Sequence, residues 1–173
     1  MERFIAIIAS AAIGMLMLGA VAIYGPRALF SSNVQIAAGN ATDIWTSAQA
    51  VYSTTAGGGA SNYTSVTTAG AIRAGIVPSG MSPDQQTIRG PWAGSTVNLS
   101  GNATQFFEDW NQIPSAVCAR FALSQAAWQV TVNGTTMYYN NTASIAPAVA
   151  AACNQGNNSW SEVKFGYMET AGQ

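Results

Sequence analysis

The chain has 173 residues, with six basic and seven acidic side chains, no histidine and a single lysine, Lys164. The charges are scattered, so no basic patch exists to neutralise a run of phosphates, which argues against nucleic-acid binding. Without histidine there is no Ser-His-Asp or Cys-His arrangement and no imidazole metal ligand, and the lone lysine lies outside any glycine-rich phosphate loop. No enzyme and no cofactor is expected.

Residues 4–24 carry no charge. As a helix they would span about 30 Å, the thickness of a bilayer core. The run is about twice the length of a signal-peptide core, and polar sequence begins only after Gly25-Pro26, so a removable signal of the usual kind does not fit. Ala6, Ser10 and Gly14 recur every four residues and line one helix face with small side chains, which lets another helix approach closely. Gly14, Gly19 and Pro26 weaken the helix at intervals, since glycine costs about 1 kcal/mol in a helix interior and proline about 3.

The helical pattern continues past the proline. Phe30, Val34, Ala37, Ala41, Ile44, Ala48 and Val51 are spaced alternately by four and three, an apolar stripe on a helix over residues 27–53. Gly57-Gly58-Gly59 ends it. The economical reading is one long helix: an apolar half, residues 1–26, projects, and an amphipathic half, residues 27–53, lies on a globular domain formed by residues 54–173.

Residues 60–94 read as a connector holding a short helix over 65–74. Strands follow near 95–99 and 104–110. Pro114-Ser115 sets up a helix to about residue 127, with Val117, Cys118 and Phe121 at core spacing. Strands over 128–132 and 135–139 flank Asn133-Gly134, a strong hairpin signal. Ser144 is placed to cap a helix with Pro147 in its first turn, ending at Cys153, and residues 162–168 read as a last strand. A long helix on an antiparallel sheet gives an α+β domain. Cys118 and Cys153 make an even count in a chain whose N-terminus points to export, so a disulfide is the expected state and two buried thiols the alternative.

Glu108 and Asp109 are adjacent on a strand and so point to opposite faces, which prevents them acting as a catalytic carboxylate pair. Trp92, Trp110, Trp128 and Trp160 are expected in the core or at subunit interfaces, with exposed adhesive aromatics as the alternative. Glycosylation sequons occur at Asn40, Asn62, Asn98, Asn102, Asn133, Asn140 and Asn157; chance supplies most of them in so Asn- and Thr-rich a chain, and glycosylation stays open with no site assigned.

The stretch GAVAIYGPRALFSSNVQIAAGNATDIWTSAQAVY resembles the N-terminal helix of type IVb pilins of the conjugative thin-pilus and toxin-coregulated branch. AIRAGIVPSGM and IRGPWAGSTVNL are similar to that branch's segment after the helix, FFEDWNQIPSAVCARFA to its strand and cysteine-bearing helix, and AAAC and EVKFGYM to its second cysteine and closing strand. The resemblance covers essentially the whole chain. It implies a structural subunit, the major pilin of a filament. The chain would rest in the inner membrane, be processed by prepilin peptidase and polymerise with copies of itself through the pilus assembly machinery into an extracellular bacterial pilus. The alternatives are a minor pilin or type II secretion pseudopilin, or a membrane-tethered adhesin that never polymerises.

One departure from the family is material. The family's early glutamate pairs with a neighbour's terminal amine during assembly, and the position aligned with it through Gly14 is Ile5. Glu2 lies one turn nearer the terminus on roughly the same face. Two readings stand open: Glu2 takes over the pairing, or Glu2 and Arg3 stay wet at the membrane surface. Met1 is the first residue of a processed, N-methylated chain on the favoured reading and the initiator on the other. The expected assembly residues are thus Met1, Glu2, Ala6, Ser10, Gly14, Gly19 and Pro26.

Overall fold

The computed structural model describes residues 32–52, 62–139, 144–154 and 159–168. The chain divides into two units, Met1–Asn33 and Val34–Gln173. Only residues 32 and 33 of the first are described, both helical. The fold is that of the second.

Helix α1 (residues 32–52) turns Val34, Ala37, Ala41, Ile44 and Ala48 into the core, as the stripe requires. Phe30 and Gly57-Gly58-Gly59 lie outside the described residues. Val51 departs from expectation: it is 40% exposed, and Tyr52 packs against the core in its place. A strict seven-residue repeat drifts by about 20° per heptad on a 3.6-residue helix. Over the length of α1 that drift carries Val51 off the inward face and brings Tyr52 onto it.

The sheet has six strands, β1 (Ile88–Arg89), β2 (Thr96–Gly101), β3 (Gln105–Pro114), β4 (Gln129–Val132), β5 (Thr135–Tyr138) and β6 (Trp160–Met168). Their order is β1-β2-β3-β6-β4-β5, with every pairing antiparallel. The last strand therefore inserts at the centre, between β3 and β4. Alternation is clean: Phe106, Glu108 and Trp110 of β3 and Val163, Phe165 and Tyr167 of β6 are buried, while their neighbours face the other way. The strand expected to end at residue 110 runs on to Pro114 through an irregularity between Trp110 and Ile113, where Gln112 takes a positive φ of 56°. The remaining strand ends agree with expectation to within two residues, but β1 was not foreseen, being only two residues long.

Among the described residues three short α-helices and a 3-10 turn at Ser79–Met81 complete the fold. In α2 (Thr68–Arg73) the Thr67 side chain caps Gly70 N, which starts the helix three residues later than the expected 65. Helix α3 (Ser115–Ala122) stops well short of residue 127. Ser124 N and Oγ both donate to Phe121 O, closing its C-terminus, and the apolar residue beyond, Ala127, is buried from a loop. Helix α4 (Ala146–Cys153) has Ile145 at its N-cap, so Ser144, which accepts from Ala146 N at 3.3 Å, sits one residue ahead of the cap expected of it. Asn133 and Gly134 have φ of 47° and 82°, the left-handed pair that a two-residue type I′ hairpin needs.

The core lies between the inner sheet face and the helices. Phe121 of α3 meets the rings of Trp92, Trp110 and Phe165 edge-on at 5.1–5.5 Å. Trp45 of α1 stacks on Tyr167 at 4.8 Å and on Phe106 at 5.8 Å. The α+β class stands as expected.

Candidate functional site

The expected assembly residues Met1, Glu2, Ala6, Ser10, Gly14, Gly19 and Pro26 all lie outside the described residues. So does the apolar run 4–24. Among the described residues no helix is long and apolar enough to cross a membrane. What the fold displays is α1, bound to the sheet on one face. The opposite face presents Gln35, Ile36, Gly39, Thr42, Asp43, Thr46 and Ala50, mostly small and uncharged, with Ile36 49% exposed. Thr42 and Thr46 fold their hydroxyls back onto the carbonyls of Ala38 and Thr42, each at 3.0 Å, so this face is locally satisfied.

Cys118 of α3 and Cys153 of α4 are joined by a disulfide with Cα atoms 5.8 Å apart. It pins the two helices together as expected. Nearby, Asn133 donates Nδ2 to Ala152 O and accepts at Oδ1 from Glu162 N, both at 2.9 Å, tying the hairpin turn to the end of α4 and to β6. This Asn is engaged in structure, as are Asn62 and Asn102, whose Oδ1 atoms accept from Thr64 N and Thr104 N in tight turns.

Among the described residues no catalytic group converges. Glu108 and Asp109 face opposite sides of the sheet. Glu108 is buried to 0% exposure and burial pushes its carboxyl well above its ordinary value, against the lowering effect of the Trp110 indole. Asp109 is raised by burial first and then by the Glu162 charge. Asp84 is held below the usual carboxylate range by hydrogen bonds from Thr87 and Gln86, with Arg89 3.1 Å away. Among the described residues no group of three His, Cys, Asp or Glu side chains could hold a metal ion.

The tryptophans split. Trp92 and Trp110 are core residues, whereas Trp128 is 44% and Trp160 47% exposed, against a core placement and free for an interface. Sequence reasoning missed Trp45, because it falls beside the aliphatic stripe. Its signal was the series Ala41, Trp45, Ala48, Tyr52, spaced four, three and four.

A family model described as PilS N terminal matches residues 31–164, which is α1, the helices, the disulfide and the sheet up to the middle of β6. The chain belongs to this family of type IVb pilins. Among solved structures, the crystal structure of type IV b pilin from Salmonella typhi aligns with a TM-score of 0.56 at 16% identity, covering 78% of this chain and 99% of that one. No curated protein matches the chain. The chain is thus a pilin subunit with the type IV pilin fold, a structural protein whose family assembles into extracellular pili.

Proposed function

We propose that this pilin is the major subunit of a type IVb pilus, polymerising from the inner membrane through its N-terminal helix. One observation carries the reading: the head is built around α1, whose Val34-to-Ala48 stripe is sealed against the sheet, while the apolar run 4–24 continues in sequence from that same helix. A segment of that length needs lipid or neighbouring helices to cover it. Residues 1–26 serve as the filament-core half, 27–53 as the amphipathic half and 54–173 complete the head. In the membrane, lipid covers the apolar half; in the filament, the same half of neighbouring subunits does, so assembly need not expose it to water. The Ala6, Ser10 and Gly14 face supplies close packing, Gly19 and Pro26 supply local bending, and Glu2 pairs with a neighbouring subunit's terminal amine. Prepilin peptidase and the assembly machinery act on the chain before and during export. Conjugative contact and cell adhesion are compatible roles for such a filament.

The deciding experiment is electron microscopy of shear fractions from producing cells. Filaments composed chiefly of this chain, with the N-terminal helices inside, are expected. A monodisperse monomer in detergent with no filaments in the shear fraction rejects polymerisation, and filaments in which the chain is a trace component reject the major-subunit role.

A further inference from the structure

The aliphatic stripe that α1 lays on the sheet is shallow over most of its length. Of its five buried aliphatic residues three are alanines, Ala37, Ala41 and Ala48, which offer single methyl groups, so the interlocking shape on this face comes from Ile44 and from Trp45 and Tyr52 beside the stripe. Against this surface lies one buried amide. Gln125, in the loop between α3 and β4, donates Nε2 to Ala38 O on α1 at 2.9 Å. Its Oε1 accepts from Tyr167 OH on β6 at 3.3 Å and lies 3.3 Å from Thr42 Oγ1 on α1, whose one proton is shared with Ala38 O at 3.0 Å. A longer contact joins Nε2 to Ser124 Oγ at 3.4 Å. Both donors of the amide are used, and its oxygen accepts from Tyr167 and takes a share of the Thr42 proton.

The contacts join three elements that are far apart in sequence. Gln125 reaches α1 over 87 and 83 residues and β6 over 42. A buried, fully satisfied polar group can specify register where apolar packing does not. We infer that Gln125 is a latch: it sets the register of α1 on the head and holds the helix against β6, so that losing it frees α1 locally while the sheet stays intact. The inference does not depend on whether the chain polymerises.

The test is hydrogen exchange with mass spectrometry on the full chain in detergent micelles. Gln125→Leu keeps the volume and removes every hydrogen bond. Its α1 amides between residues 34 and 48 are expected to exchange about tenfold faster than in the wild type, with β6 amides 163–167 unchanged. Unchanged α1 exchange, or equal acceleration of α1 and β6, overturns the latch. Gln125→Glu keeps the shape and decides the matter if the leucine variant does not fold. At about pH 4 its protonated carboxyl retains a donor for Ala38 O and α1 is held as in the wild type; at about pH 8 ionisation removes that donor and α1 exchange rises. The titratable groups around the site, Tyr167 and beyond it Glu108 and Tyr139, are common to both proteins, so the wild type at each pH is the control. Equal α1 exchange relative to that control at both pH values rejects the latch.

Discussion

Trp110 donates its indole Nε1–H to Glu108 Oε2 across 3.1 Å, from two residues along the same buried face of β3. The other oxygen, Oε1, has no hydrogen-bond partner among the described residues, and the residues opposite on the flanking strands are Leu99 and Phe165. One neutral donor does not offset the cost of placing a carboxylate in this aromatic core, so the acid form is favoured.

The pH dependence follows from that burial. Because the folded state raises the Glu108 pKa, its stabilising contribution is complete below the ordinary carboxyl range and is lost as pH rises towards the folded value. Stability of the head should fall by up to about 1.4 kcal/mol per pH unit above pH ~4.5. Asp84 acts in the opposite sense: its lowered pKa gives stability present above its ordinary range and lost in stronger acid. Denaturant midpoints measured across pH should therefore peak in mild acid. Glu108→Gln should flatten the alkaline limb and be more stable than the wild type at about pH 8; an unchanged limb counts against a buried acid.

The inward face of α1 is tested by a pair of substitutions. Trp45→Ala removes the stacks on Tyr167 and Phe106 and should cost about 2–3 kcal/mol, somewhat below the range for a fully buried aromatic because Trp45 is half-buried. Val51→Ala, on the stripe by sequence but exposed in the fold, should cost no more than about 0.5 kcal/mol. Reversed magnitudes in chemical denaturation would return α1 to the strict heptad face.

Replacing Cys118 and Cys153 together by serine opens a loop of about 36 residues and should lower stability by about 3–4 kcal/mol. Wild-type protein treated with reductant should shift its unfolding midpoint by a similar amount.

Two glycine substitutions should differ in sign. Gly134→Ala places a Cβ at a φ of +82° with no neighbour within 4 Å, so its cost, about 1 kcal/mol, is purely conformational. Gly39→Ala, on the exposed face of α1 with equally open space, should stabilise by about 0.5–1 kcal/mol. Thermal midpoints of the two variants read both effects.

Gly14→Leu and Glu2→Ala should each reduce the amount of filament in shear fractions while leaving the unfolding midpoint of the head as in the wild type. Normal piliation in both would remove the support for close packing through Gly14 and for terminal pairing through Glu2.

Features that depend on near neighbours were legible in the chain itself. The three-four spacing from Val34 to Ala48 is a property of one helix, and the positive φ pair at Asn133-Gly134 is a property of two residues. The ordered series of motifs from α1 to β6 identified the family for the same reason, since each motif is short and local. Tertiary structure decided what depends on partners far away in sequence. It set β6 between β3 and β4, exchanged Val51 for Tyr52 on the inward face, and ended α3 at Ala122 so that Gln125 could reach α1. It also buried Glu108, which the alternation of a strand assigns to one face without saying which face the helices cover. Periodicity fixes only the relative orientation of neighbouring side chains; long-range pairing chooses the face that becomes the core.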